Sequence, residues 1–301
     1  MSEEALHLPV MAREVEEFLN PQAGGCFLDG TLGLAGHSVL IAQKIGSSGR
    51  LIALDKDQKA LALARKKLST FTGKVDLVHS DFRDFDVVLK KLGVDAVDGM
   101  LFDLGISSFQ LDAPERGFSF RSEGPLDMRM NQDALTSAAD IINTLQEEEL
   151  ANVIFTFGEE RFSRRIAKAI VQYRARKKIE TTKELEEIIF TSVPVSYRRQ
   201  KIHPATRTFQ AIRIAVNREL ESLQLIMDKC ADYLKEGGRI GVISFHSLED
   251  RIVKEKFKSL AKSGIMTLIV KKPLRPSDDE IKSNPRARSA RFRVAERTTC
   301  N

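Results

Sequence analysis

The sequence offers little sulfur chemistry. Its three cysteines, Cys26, Cys230 and Cys300, lie far apart and form no Cys-x-x-Cys pair. That spacing argues against a disulfide framework and against a cysteine-based zinc site. Cys26 lies in an apolar run and reads as a small core residue rather than a nucleophile. No apolar run approaches the ~18 residues that a membrane span requires. The start, Met1-Ser2-Glu3-Glu4-Ala5, is acidic and lacks the basic opening and apolar core of a secretory signal. A cytoplasmic location without a membrane partner is therefore expected. Internal repeats and low-complexity segments are missing too. No histidine has partners at metal-ligand spacing, so no metal is expected.

What is present is ordinary in amount and uneven in placement. The chain has 301 residues, 42% hydrophobic and 30% charged. That is enough for one large or two moderate domains around a sizeable core. The net charge is +5. Between Arg161 and Lys178 lie Arg164, Arg165, Lys168, Arg174, Arg176 and Lys177, with no acid among them. Near the end, Arg286, Arg288, Arg291, Arg293 and Arg297 face only Glu296. Either cluster alone reads as a solvated surface. Two in a basic chain favour a nucleic-acid surface, with Arg164, Arg165, Arg286 and Arg288 as candidate RNA contacts.

The first hundred residues alternate apolar runs with helical patterns. Strands are expected at 26–29, 50–55, 75–79 and 97–103, with helices at 58–68 and 85–92 between them. This rhythm implies a parallel α/β sheet covered on both faces. From Gly105 to Met130 the chain is rich in Gly, Pro, Ser and charge, yet it carries Phe109, Phe118 and Phe120, which argue against disorder. Helical patterns fill 137–201, with Thr181 as a helix cap. One long helix is expected over 207–234, stopped by Glu236-Gly237-Gly238. Strands then return at 239–245, 266–270 and 291–294, with a helix at 248–260.

The stretch Cys26-Phe27-Leu28-Asp29-Gly30-Thr31-Leu32-Gly33-Leu34-Ala35-Gly36-His37-Ser38 reads as strand, glycine-rich loop and helix. Such a loop opens a nucleotide-like pocket at the carboxyl edge of a parallel sheet. Its spacing, Gly30-x-x-Gly33-x-x-Gly36, is not the dinucleotide Gly-x-Gly-x-x-Gly. Asp55 ends the second strand, where a carboxylate can accept ribose hydroxyls. Asp81-Phe82 follows the third, as an acid and an aromatic suited to an adenine ring. Asp103 ends the fourth. Acids at four consecutive strand ends point to one binding edge. His246 follows the strand at 239–245 and is a candidate for touching substrate at the same edge. His203, beside Pro204, reads as structural.

Longer blocks run the length of the chain: His7-Leu8-Pro9-Val10, Asp103-Leu104-Gly105-Ile106-Ser107-Ser108, Glu115-Arg116-Gly117-Phe118-Ser119-Phe120 and Gly124-Pro125-Leu126-Asp127-Met128-Arg129-Met130. Gly158-Glu159-Glu160-Arg161, His203-Pro204-Ala205-Thr206-Arg207, Ser244-Phe245-His246-Ser247-Leu248-Glu249-Asp250-Arg251 and Asn284-Pro285-Arg286-Ala287-Arg288-Ser289 complete the set. In these blocks the chain resembles the MraW, or methyltransferase H, family of bacterial small-subunit ribosomal RNA methyltransferases. The resemblance implies a class I S-adenosylmethionine-dependent methyltransferase sheet, Rossmann-like, in residues 1–112 and 206–301. It implies an inserted helical domain for substrate recognition at 113–205. It further implies cofactor contacts at Ala35, Gly36, His37, Asp55, Phe82, Asp103 and Gln110, with S-adenosyl-L-homocysteine as product. The expected target is the N4 amine of a cytidine in the decoding region of 16S rRNA, within the small ribosomal subunit. Homodimerisation stays open. Ala35 stands where many relatives have glycine; alanine fits there if its φ is negative.

The N4 amine is a weak nucleophile because its lone pair is delocalised into the ring. An acceptor on one N–H would localise that pair and take the proton. Asp103, or a carbonyl within 104–108, is the candidate; Asp103 serving the cofactor alone is the alternative. Asp103-Leu104-Gly105-Ile106 lacks the Pro-Pro-aromatic motif of many amino-methyltransferases, so stacking on the base is assigned to Phe109 or Phe118. On the residues alone two other readings stay open: a nucleotide-dependent oxidoreductase, and a non-catalytic RNA-binding assembly factor.

Overall fold

A computed structural model describes residues 9–299. The acidic start at 1–5, His7, Leu8 and Cys300 lie outside the described residues. The chain forms two compact units. One comprises Met1–Gly105 and Leu220–Asn301, the other Ile106–Glu219.

The first unit is built on one sheet of strands β1 (Cys26–Asp29), β2 (Arg50–Asp55), β3 (Lys74–His79), β4 (Val97–Asp103), β5 (Leu234–Ser244), β6 (Met266–Leu268) and β7 (Arg291–Arg297). Their order is β3-β2-β1-β4-β5-β7-β6, and β7 runs antiparallel to both neighbours. The first five strands are parallel. This is the class I methyltransferase arrangement. The strands form where apolar residues run without a break: Leu51, Ile52, Ala53 and Leu54 are all fully buried, as are Met100, Leu101 and Phe102. In register, Asp29 lies beside Ala53 and Leu101, and Asp103 beside Ile243. The carboxyl ends of β1, β2, β3 and β4 therefore share one edge.

The helices, in chain order, are α1 (Ala12–Leu19), α2 (Gly36–Ile45), α3 (Gln58–Lys67), α4 (Phe85–Lys91), α5 (Ser108–Asp112), α6 (Ala138–Thr144), α7 (Glu147–Gly158), α8 (Ser163–Arg174), α9 (Thr182–Ser192), α10 (Val195–Arg198), α11 (Ala205–Asn217), α12 (Glu219–Lys229), α13 (Ser247–Lys262) and α14 (Asp278–Ser283). One sheet face packs Leu28, Ile52, Phe85 and Phe102 with Leu223 and Ile226 of α12. The other packs Phe27, Leu51 and Leu101 with Ile41 of α2 and Val15 of α1.

The second unit is helical, with its own core of Leu150, Ile154, Ile166, Ile170, Leu185, Ile189 and Ile212. It runs from 106 to 219, where the sequence reading placed it at 113–205. The added end is α11, whose Phe209 and Ile212 are buried in the helical core. The long loop beginning at Gly105 contains α5 and a 3-10 turn, Pro114–Arg116. Leu126 N–H donates to Glu180 O, tying the loop to the start of α9.

Two local expectations are corrected. The single helix over 207–234 is two, because Arg218 adopts a left-handed φ of 52° between α11 and α12. Asn217 holds that break: its side chain donates to Met128 O and accepts from Met130 N–H. The strand expected at 239–245 begins earlier, at Leu234. Glu236-Gly237-Gly238 is an irregularity within β5, where the register on β4 shifts between Val97 and Gly99.

Candidate functional site

The glycine-rich loop leaves β1 at Asp29. A Cβ on Gly30 would lie 2.3 Å from the Phe102 ring, so only glycine lets the loop turn flat against β4. Gly33 takes a φ of 49° and points its N–H at Asp55 Oδ2, 2.8 Å away. Thr31 Oγ1 accepts from Asp103 N–H at 2.6 Å, joining the loop to the end of β4. Ala35 then caps α2 with a φ of 63°. The condition under which alanine would fit without strain, a negative φ, is therefore not met. Ala35 N–H donates to Leu32 O at 2.7 Å, closing a turn at the end of the loop, and the left-handed Ala35 leads the chain into α2.

The four acids divide by use. Asp29, 1% exposed, accepts from Ser38 Oγ at 2.6 Å and Thr31 N–H at 3.0 Å. It fastens the loop to α2, and burial raises its carboxyl above the usual range. Asp55 accepts from the N–H groups of Gly33 and Asp57, both at 2.8 Å. Burial outweighs those donors and pushes Asp55 up to about 6. Two of its roughly four lone-pair directions remain for a ligand. Asp81 caps the 3-10 turn that follows β3 and sits 3.1 Å from Lys56 Nζ. Beside it, Phe82 meets Phe102 edge-on at 6.2 Å, with Lys56 Nζ 5.2 Å from its ring centre. Phe102 therefore supports both the Gly30 turn and Phe82. Lys56, which sequence reasoning missed, holds Asp81 and Phe82 together.

Asp103 and His37 form the least satisfied part of the edge. His37 is 5% exposed, and its Nε2 lies 3.6 Å from Asp103 Oδ2. Neither ring nitrogen of His37 is hydrogen-bonded, nor is the buried Asp103 Oδ1. Leaving such groups unmade costs about 1–3 kcal/mol each. Fixed side chains that bear this cost at a sheet edge suit a ligand carrying both donors and acceptors.

Of the other candidates, His246 shares this edge, because β5 runs parallel to β4 and pairs with it. His246 is placed at the carboxyl end of β5 and caps α13. Its Nδ1 accepts from Glu249 N–H at 3.4 Å, and its Nε2 is 3.3 Å from Glu249 Oε1. Gln110 belongs to the helical unit. There it completes a capping box with Ser107 at the start of α5. Phe118 is 6% exposed in the helical core, with Arg116 over its ring, so it cannot stack on a base. Phe109 is half-buried.

The basic clusters are thinned by internal pairing. Arg291 and Arg293 both grip Asp250, at 2.9 and 2.7 Å, and Arg297 donates to Leu234 O. Although burial opposes it, Arg293 and Arg291 hold the Asp250 carboxyl below its usual range. Arg286 and Arg288 are the exposed arginines of this group. At the end of α8, Arg174 donates to Ile142 O and Leu145 O, and beyond the helix Lys177 pairs with Glu184. Arg164, Arg165 and Lys168 are exposed and belong to no ion pair among the described residues.

Several of the sequence blocks act as structural locks. Glu160, fully buried, accepts from Phe162 N–H at 2.8 Å and Tyr197 Oη–H at 2.6 Å. Asp127 takes Arg129 in a two-pronged pair at 2.8 and 2.7 Å. Comparison with known proteins places these blocks in context. A "Ribosomal RNA small subunit methyltransferase H" of Brevibacillus brevis is 48% identical, over 97% of this chain and 98% of that protein. Proteins of the same name from Sulfurihydrogenibium sp. and Geobacter sp. are 49% and 46% identical, each over 97% of this chain and at least 98% of their own length. The MraW methylase family matches residues 4–298, spanning the glycine-rich loop, the sheet-edge acids and the locks of the helical unit alike, and the chain belongs to that family.

Proposed function

We propose that the protein transfers a methyl group from S-adenosylmethionine to the N4 amine of a cytidine in the decoding region of 16S rRNA. The observation that carries this reading is the His37–Asp103 pair. Its buried and unsatisfied polar atoms sit on the edge that also presents Asp55 and Phe82. These residues fit the cofactor's chemistry. Asp55 would accept the ribose hydroxyls, Phe82 and Asp81 would hold the adenine, and His37 with Asp103 would face the charged amino-acid end. When bound, S-adenosylmethionine supplies a methyl already activated on a sulfonium.

The protein's own residues then have three tasks: to align the amine, exclude water and accept a proton. Asp103 has an oxygen without a hydrogen bond, and it can accept from the N4 amine, sharpen its lone pair and take its proton. Thr31 fixes the Asp103 backbone, so the carboxylate needs little reorganisation. The exposed Arg164 and Arg165 on α8, with Arg286 and Arg288, would meet RNA phosphates. The substrate is read as rRNA within the small subunit, in the cytoplasm. The test is transfer of labelled methyl from S-adenosylmethionine to small subunits lacking the modification, with mass mapping of the product. A methyl on cytidine N4 is expected. Label on another base, or none, overturns the reading.

A further inference from the structure

The helical unit carries a third basic surface that neither charge cluster of the sequence reading includes. Between Glu187 and Glu219 the chain contains no acid, yet it contains Arg198, Arg199, Lys201, Arg207, Arg213 and Arg218. Arg213 pairs with Glu219, and Arg207 donates to Glu159 O at 3.2 Å. Arg199, Gln200, Lys201 and Ile202 are exposed in sequence, directly after α10.

Under this apron lies a column of stacked planes. Arg198 sits 5.1 Å over Phe190, Phe190 stacks on His203 at 5.7 Å, and His203 stacks on Phe120 at 4.8 Å. Phe209 closes the inner end edge-on at 5.1 Å. Glu186, 3.3 Å from His203 Nε2, fixes the ring. At the outer end the Arg198 guanidinium is fixed by donating to Val193 O at 3.1 Å and Thr191 O at 2.7 Å. Both partners are carbonyls, and no ion pair neutralises Arg198 among the described residues. A fixed cationic plane differs from a solvated arginine, which would swing freely.

We infer that residues 195–203 form a docking surface for unpaired RNA, with Arg199 and Lys201 on phosphates and Arg198 as a platform for one base. Single strands are favoured over duplex because a half-exposed, fixed guanidinium such as Arg198 and flanking apolar side chains engage splayed bases. Val195 and Ile202 supply the apolar flank, 57% and 55% exposed. Arg161, lying 5.0 Å over Tyr197 of α10, joins this surface to the basic side of α8. The inference rests on the rRNA reading above and names the part of the protein that grips the strand.

The test is fluorescence anisotropy of the full chain with an unstructured RNA of about 12 nucleotides, across a salt series. Arg199→Glu with Lys201→Glu should weaken binding about tenfold and reduce the slope of log affinity against log salt by about 1.4, two contacts' worth for single strands. Arg198→Lys keeps the charge and loses the plane; it should weaken binding about tenfold with the slope unchanged. A double variant with wild-type affinity and slope overturns the surface. The exposed pair guards against misfolding, since Arg198 also closes the end of α9. An Arg198→Lys protein that binds as wild type overturns the base platform. If the wild-type protein methylates small subunits and these variants do so equally well, the surface fails and the function stands. If the wild-type protein methylates none, the functional reading fails instead.

Discussion

Two sets of buried polar groups, one in each unit, are completed in opposite ways. In the helical unit, Arg116 is the largest fully buried side chain of the described residues, at 2% exposure. It donates to Arg129 O and Met130 O, both at 3.0 Å, and lies against Phe118. Glu160 is closed in the same manner by a backbone N–H and Tyr197, whose hydroxyl is pushed up to about 12 by burial and by the Glu160 carboxylate. In the α/β unit, His37 and Asp103 are left open at the sheet edge. Polar burial that serves the fold is completed within the chain. The His37–Asp103 pair keeps hydrogen-bonding capacity that the proposed ligand would use.

Breaking a closed network should therefore have the largest effect, and a local one. Arg116→Ala removes a buried cation and leaves two carbonyls and a cavity, at a cost of about 3–5 kcal/mol. Hydrogen exchange should show amides of 106–219 losing protection well before those of the sheet. Cofactor affinity measured by calorimetry should change little. Equal loss of protection in both units would end the comparison.

The next largest effect tests the open side. Asp103→Asn keeps the shape of the side chain but removes the basic carboxylate proposed above as the proton acceptor. Turnover should fall about 100-fold, as for loss of a general base. Affinity for S-adenosylmethionine should fall by much less. Equal losses in both would assign Asp103 to the cofactor alone.

The same contrast explains what the sequence could reveal. Strands β1, β2 and β4 are legible to the residue, because burial on both faces demands unbroken apolar runs such as Leu51–Leu54. The candidate edge is legible because its acids fall at strand ends, a position that local pattern marks. The locks are not legible. Asp250 meets Arg291 and Arg293 across more than forty residues, so the C-terminal arginines look free in one dimension and are spent in three. The break at Arg218 is hidden for a similar reason. No glycine marks it, and its support comes from Asn217 reaching Met128 and Met130 across the unit. The Arg198 platform depends on Phe120, Phe190 and His203 converging from three separate segments.

A smaller effect follows from Asp55. Its carboxyl titrates near 6 in the folded protein, above the ordinary 3.8. Between those values the folded state binds more protons than the unfolded chain. Asp55's contribution to stability is thus full below about pH 4 and lost as pH rises through 6. Ligand binding runs the other way, because ribose hydroxyls donate best to the ionised form. Affinity for S-adenosylmethionine should fall as pH drops through 6, by up to about tenfold per unit. Asp55→Asn should flatten that profile while lowering affinity at pH 7. A profile that keeps its step in the variant would place the titrating group elsewhere.

The smallest effect concerns Ala35, where two terms of similar size oppose each other. A left-handed alanine costs roughly 1–2 kcal/mol, which glycine would relieve. Glycine also forfeits the burial of one methyl, worth about 0.8 kcal/mol, and gains backbone freedom in the unfolded chain. Ala35 is fully buried against the α2 side of the sheet, so the methyl counts in full. Ala35→Gly should therefore shift stability by no more than about 0.5 kcal/mol in denaturant titration. Gain of more than about 1 kcal/mol would mean that the loop stores strain beside the open His37–Asp103 pair; an equal loss would mean that packing, not backbone conformation, fixes the start of α2.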